Sequence, residues 1–394
     1  MQVFYQGTEA IRKPLETVVG IVEKRASLPI LAHVLIRKSP EYLDLVTSDM
    51  SIQITTRLNF GRDSEADFET NSKPEILDGQ EEFSDDNNIL KIAVPAHKFM
   101  NIVRVMPTGA MIEANLSESK INLTGADSSF TLQTLPGADY PEADFDVDWK
   151  SNFSIKAKDL KKILSLVSCA MAQNDIRYYL NGMLLVIEPG KLHGVATDGH
   201  RLSHAAESVE GVTESDKVII PRKTVEHLLR LLEDSNSDVR ISVSSRSIRF
   251  VFGNIEIISK QVEGKFPDFD KVIPKGYGTQ ITIKRSILNE NLNRANILVN
   301  EDKLHSIKLH FANDLLTISS SNLDQEESKM EIGVVYNDKP IQMGFNALYL
   351  LDVLNVLSSY ENVILSMSGE SNSSLLISVP EDDEFKYVVM PLRI

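Results

Sequence analysis

The stretch Arg177-Tyr178-Tyr179-Leu180-Asn181-Gly182-Met183, followed after an apolar run by Ala196-Thr197-Asp198-Gly199-His200-Arg201-Leu202, decides how the rest of the chain is read. Two strand-like runs, 183–187 and 192–196, flank Glu188-Pro189-Gly190, whose Pro and Gly are strong turn signals. The pattern predicts a hairpin. Asp198-Gly199 marks a second tight turn, because glycine accepts positive φ freely, and this turn leaves Thr197, His200 and Arg201 near a strand end.

A chain of 394 residues, 42% hydrophobic and 25% charged, is too long for one ordinary core and implies two or three domains. That composition excludes disorder over the whole length. The N-terminal Met1-Gln2-Val3-Phe4-Tyr5-Gln6-Gly7 has no basic segment followed by an apolar one, and no apolar run approaches the roughly 20 residues of a spanning helix. A cytoplasmic protein with no membrane partner is expected. The single cysteine, Cys169, cannot form an internal disulfide and falls on the apolar side of a helical pattern, which reads as core packing. A net charge of −15 argues against nucleic-acid binding driven by total charge, but leaves room for a locally basic face.

One pattern occurs three times along the chain. Each copy opens with a strand and a helical pattern, at 11–22, 160–171 and 288–299; in the second, Leu160, Ile163, Leu164, Val167 and Met171 share one face. A second helix follows in each copy. Val94-Pro95 leads into Ala96, Phe99, Met100 and Val103; Ile220-Pro221 into Val225, Leu228, Leu229 and Leu232; Phe345 into Ala347, Leu350, Leu351 and Leu354. Alternating runs such as 43–46, 120–124, 241–243, 247–252, 315–319 and 363–367 predict strands. Each of the three copies is therefore mixed α and β.

The second helices recur at about 126 and about 124 residues, whereas the opening helices of copies one and two stand about 150 apart. Copy one carries an insertion. Residues 61–88, rich in Asp, Glu, Ser and Asn and poor in apolar side chains, bury too little to offset their ordering entropy and are expected to form a mobile loop. Replacing them with a short turn should leave the fold and the chain's assembly state intact. The check is a thermal melt beside a solution mass, and a large drop in melting temperature would make the insertion structural.

Basic residues gather on the helices. Arg12, Lys13, Lys24, Arg25, Lys98 and Arg104 in copy one, and Lys156, Lys158, Lys161, Lys162, Arg222, Lys223 and Arg230 in copy two, stand against an acidic background. An enzyme built on Asp198 and His200 finds no support, since Asp-x-His supplies at most two metal ligands and no His-x-x-x-His or cysteine pair accompanies it. No cofactor motif is present.

Five segments in order, 28–31 (Leu-Pro-Ile-Leu), 177–183, 196–202, 262–268 (Val-Glu-Gly-Lys-Phe-Pro-Asp) and 387–394 (Tyr-Val-Val-Met-Pro-Leu-Arg-Ile), resemble the signature segments of the bacterial sliding clamp, the beta subunit of DNA polymerase III. The resemblance spans the chain except 61–88. It implies an α+β fold of three repeated clamp domains per chain, at 1–148, 149–275 and 276–394, each with two helices packed on antiparallel sheets, and a ring-forming, head-to-tail homodimer with helices lining the hole. It also implies a non-catalytic processivity role: encircling duplex DNA without sequence preference and tethering the polymerase III alpha subunit, the clamp loader, other polymerases and repair proteins. A DNA-binding scaffold that never closes is the rival reading, and the chain's mass in solution separates the two.

In the family, partner peptides with a Gln and a Leu/Phe pair enter a pocket between the second and third domains. The matching positions are Leu180, Thr197, Gly199, His200, Arg201, Leu202, Pro267, Lys271, Val272, Ser374, Val388, Met390, Pro391, Leu392 and Arg393. Aliphatic residues with a few orienting polar groups suit peptide capture. Lys271 stands where the best-known members carry Arg, Leu392 replaces Met, and Asn372 replaces an aliphatic residue. Family DNA contacts map to Arg25, Tyr178, Tyr179, Arg222 and Lys223, and the ring interface to Phe130 against Ile297 and Leu298.

Overall fold

The computed structural model describes residues 1–22, 28–60, 89–141, 144–276, 278–302 and 304–393. The predicted loop 61–88 and Arg25 lie outside the described residues. Six α-helices occur among them: α1 (Thr8–Val19), α2 (Ala96–Val105), α3 (Ala157–Ser168), α4 (Arg222–Leu231), α5 (Arg285–Val299) and α6 (Ala347–Val356). They pack in pairs, α1 with α2, α3 with α4 and α5 with α6. The helical spacing of apolar residues is the cause: in α3, Leu160, Ile163, Leu164 and Val167 are fully buried while Lys158 is exposed. No helix among the described residues is long and apolar enough to cross a membrane.

Packing divides the chain into two units, Met1–Ser154 with Asn236–Lys260, and Ile155–Ser235 with Gln261–Ile394. In the first, a four-stranded sheet runs Gln2–Gly7, Met111–Ser117, Lys120–Gly125, Ser128–Gln133. The larger sheet of that unit crosses a repeat boundary, because Ile255–Lys260 of copy two pairs antiparallel with Ile52–Asn59 of copy one.

The second unit has an eight-stranded sheet in the order Asp216–Pro221, Gly182–Glu188, Lys191–Thr197, Arg201–Ser208, Asp382–Val389, Leu375–Val379, Asn362–Met367, Thr279–Lys284. It too crosses a boundary, where Arg201–Ser208 of copy two pairs with Asp382–Val389 of copy three. A four-stranded sheet, Glu327–Gly333, Leu315–Ser321, Ser306–Ala312, Ile341–Asn346, completes this unit. The predicted hairpin is present: Glu188 faces Lys191 across Pro189 and Gly190, and Gly190 has φ +85°. Proline before a positive-φ glycine fits the two central positions of that turn.

Candidate functional site

The turn after Lys191–Thr197 is held by its own side chains. Asp198 Oδ1 accepts the N–H groups of His200 (2.9 Å) and Arg201 (3.0 Å), while Thr197 Oγ1 donates to the Arg201 carbonyl (2.6 Å) and accepts the Gly199 N–H (3.1 Å). Gly199 sits at φ +92°, a conformation that side chains rarely adopt; a Cβ there would also stand 3.2 Å from Arg177 Nη1, the mobile end of a side chain that can yield. The Arg177 Nη2 donates to the Asp198 carbonyl at 3.2 Å and to Asp175 at 2.7 Å, bracing the turn from outside.

Arg201 is an anchor. Its Nε pairs with Asp198 Oδ2 at 3.0 Å, its Nη1 with Asp352 Oδ2 at 2.6 Å, and its guanidinium lies 4.4 Å over the Tyr349 ring. Desolvation opposes its charge, but Tyr387, Asp352 and Asp198 outweigh burial and raise its pKa above the ordinary arginine value. Asp198 is thereby committed to the turn and the ion pair, which gives that carboxylate a structural role. His200, exposed, stacks on Tyr349 with centroids 6.3 Å apart. These groups line a cleft of about 630 Å³ that also includes Met171, Arg177 and Arg222. Burial pushes the neighbouring Cys169 thiol up to about 12, which keeps it protonated.

Next to the turn lies an apolar bed. Leu184, Val186, Val195, Leu202, Ile219 and Val388 form its buried floor, and Tyr179, Val262, Phe266, Phe269, Val272, Ile273 and Leu376 pack over it half-buried. The segment bearing these last aromatics is tied down by the Val262 N–H, which donates to the Ile219 carbonyl at 2.8 Å. The C-terminal tail closes one side: the Met390 N–H donates to the His200 carbonyl and the Leu392 N–H to the Gly344 carbonyl, both at 2.8 Å.

The structure thus gathers Thr197, Gly199, His200, Arg201, Leu202, Val272, Val388 and Met390. Leu180, Leu202 and Val388 are buried, so they underlie the surface and do not wall an open recess. Pro267 and Arg393 are exposed; Pro391, Leu392 and Ser374 are half-buried. Lys271 is ion-paired with Asp268 at 2.8 Å, and both side chains are more than half exposed. Sequence reading missed Phe266, Phe269, Leu376, Tyr349 and Asp352. The first two sit inside the quoted segment or just after it, where aromatic residues flanking a proline gave a usable signal.

Of the DNA candidates, Tyr178 is 74% exposed, whereas Tyr179 packs on the bed. Arg222 opens α4, pairs with Glu226 at 2.9 Å and donates to the Met171 carbonyl at 3.1 Å; its N–H donates to the Asn181 carbonyl. Arg222 therefore fastens the tyrosine loop to α4, and Lys223 follows it in the first turn. Lys162, counted among the basic helix residues, is held by Glu207 (2.6 Å) and Asp382 (2.8 Å). Phe130 lies on Ser128–Gln133, the outermost strand of its sheet, and is half-buried. On α5, Ile297 is 73% exposed and Leu298 half-buried.

Family models of the DNA polymerase III beta subunit match in order: the N-terminal domain over residues 3–144, the central domain over 154–268 and the C-terminal domain over 270–393. The Beta sliding clamp of Pseudomonas aeruginosa is 37% identical over 388 residues, covering 98% of each chain. That of Escherichia coli is 34% identical over 388 residues, again with 98% of each chain. A crystal structure of the P. aeruginosa sliding clamp bound to griselimycin superposes with a TM-score of 0.89 at 36% identity, covering 100% of both chains. With all three domain models matched in order and relatives aligned from end to end, the chain belongs to the DNA polymerase III beta subunit family, the bacterial beta sliding clamps.

Proposed function

We propose that two copies of the chain close head to tail into a ring around duplex DNA, and that this ring tethers the replicative polymerase and other replication and repair proteins in the bacterial cytoplasm. It performs no chemistry. Each chain contributes the domains 1–148, 149–275 and 276–394, and DNA passes Arg25, Tyr178, Arg222 and Lys223 through weak, sequence-independent phosphate contacts. Topology supplies retention, so tight binding is unnecessary and would hinder sliding. The net charge of −15 suits an exterior that repels DNA. Tyr179 serves the DNA loop indirectly, by seating it on the apolar bed.

Partner peptides lie over the bed, with apolar side chains against Phe266, Phe269, Val272 and Met390 and polar groups directed by His200 and the turn. The observation that carries this reading is the locked 197–201 turn beside half-buried aromatic and aliphatic surface. A site already ordered before binding spends little affinity on ordering itself.

The ring is tested by loading the protein with a clamp loader onto nicked circular DNA and passing the complex through a sizing column. It should stay with the circle and be lost after the DNA is cut once to a linear form. Equal retention on both forms would sink the sliding model.

A further inference from the structure

The ladder between Lys191–Thr197 and Arg201–Ser208 sets His193 opposite Ala206 and His204 opposite Val195, so the two imidazoles are diagonal neighbours. His193 Nδ1 lies 3.0 Å from His204 Nε2, and His204 Nδ1 lies 3.0 Å from the Glu384 carbonyl oxygen. A carbonyl only accepts, so His204 carries its proton on Nδ1, and in the neutral ring Nε2 is a lone pair that accepts from His193 Nδ1–H. Both tautomers are thereby fixed. The remaining nitrogen, His193 Nε2, faces Glu188 Oε2 at 3.8 Å. One added proton is accommodated there beside the carboxylate, with the N–H···N bond intact. A second would set N–H against N–H across the 3.0 Å gap and break it.

The His204 ring is buried and stacks on Phe269, with centroids 6.0 Å apart and planes 19° from parallel. Phe269 packs on the Leu202–Val388 floor, and its carbonyl accepts the N–H groups of Val272 (3.0 Å) and Ile273 (3.2 Å). His204 thus touches the ring of the residue whose backbone carbonyl holds the Val272 and Ile273 N–H groups. A recess of about 390 Å³ adjoins the pair. The charged groups around it are Glu188 from the hairpin, Lys191, Asp270 beside Phe269, and Asp383, Glu384 and Lys386 from the strand that carries the tail. Lys191 is paired with Glu384 at 2.7 Å, and Lys386 Nζ donates to the Asp383 carbonyl at 2.7 Å.

We infer that the His193–His204 pair is a positioning device for partner binding: in its hydrogen-bonded form it holds Phe269, and through it Val272, against the apolar bed, and acidification that forces a second proton onto the pair loosens that wall. The inference rests on the peptide-site reading above. Desolvation lowers the pKa of both rings, with His193 a further cause at His204, which is brought down to about 4. The bonded form thus persists through neutral pH.

The test titrates a rhodamine-labelled peptide carrying a Gln and a Leu-Phe pair against wild type, His193→Leu and His204→Leu between pH 8 and 3.5, with solution mass and circular dichroism measured in parallel to confirm that each protein stays folded. Wild-type affinity should be flat from pH 8 to 6. His193→Leu leaves His204 Nε2 without its donor, so the ring protonates nearer the ordinary imidazole range and the acid fall in affinity moves up by about one pH unit. His204→Leu should bind several-fold more weakly at pH 8 and lack that fall. In labelled protein, the Phe269 ring resonances should shift with the same midpoint as those of His204. Superimposable pH profiles for wild type and His193→Leu, or Phe269 resonances that ignore His204, overturn the inference. A wild type that binds no peptide at pH 8 overturns the site reading instead, and the Phe269 resonances still decide whether the pair positions the wall.

Discussion

Aspartate at both 297 and 298, as Ile297→Asp with Leu298→Asp, is expected to convert the ring into folded monomers. On α5, Leu288, Leu292, Ala295 and Val299 are buried against the domain, whereas Ile297 is left 73% exposed on another face of the helix. The helix packs on Leu315–Ser321 and on Glu327–Gly333, and the latter is the outermost strand of its sheet. In the first repeat, Ser128–Gln133 is also outermost in its sheet and carries Phe130 and Leu132 without a single charged residue. Free edges are normally blunted by charge, bulges or proline; Ser128–Gln133 lacks the charge, whereas Glu327–Gly333 carries Glu327, Lys329 and Glu331, so the two edges differ in character. Two unlike edges on one chain allow head-to-tail closure, and each contact then occurs twice in a two-chain ring. Burying an unpaired carboxylate costs several kcal/mol, and two adjacent ones add mutual repulsion, so each contact should weaken by at least about a hundredfold. Sedimentation velocity reads the mass and circular dichroism reads the fold. A double variant that stays dimeric would place the contact elsewhere.

Much of this was legible in the sequence, for local reasons. The hairpin at Pro189-Gly190 and the turn at Asp198-Gly199 are set by residues within a few positions of one another, so short-range chemistry suffices to find them. Helix limits were less visible. The apolar pattern 11–22 overruns α1, which ends at Val19, because Ile21 and Val22 remain buried in the turn that follows. The same pattern starts late, since Gly7, Lys156 and Lys284 precede their helices without a side-chain cap that would mark the start. Strand partners across repeats were not legible at all. Alternation tells which residues share a face but not that Ile255–Lys260 joins Ile52–Asn59. The role of Arg201 was hidden likewise, because Asp352 stands 151 residues away in sequence.

Ending the chain after Val389 is expected to cost at least tenfold in affinity for a partner peptide while leaving the dimer in place. The strand Asp382–Val389 is held on both sides, by Arg201–Ser208 and by Leu375–Val379, so it stays paired without the tail. Beyond it, Met390 is tied to the His200 carbonyl and Leu392 to the Gly344 carbonyl, and Gly344 and Leu392 also form a bridge. The tail therefore hems the 197–201 turn through Met390. Its removal strips the exposed Met390 side chain and the Arg393 donor, and frees the His200 carbonyl, in one step. Loss of apolar wall and an orienting cation together is worth on the order of a few kcal/mol at a binding centre, and about 1.4 kcal/mol already gives tenfold. The ring contacts assigned to Phe130, Ile297 and Leu298 lie on other elements, which is why mass should not change. Fluorescence titration of the labelled peptide against full-length and shortened protein, with solution mass alongside, separates the possibilities. Unchanged affinity in a shortened dimer moves the peptide site away from the tail, whereas a shortened chain that runs as a monomer makes Met390 to Arg393 a structural clasp first.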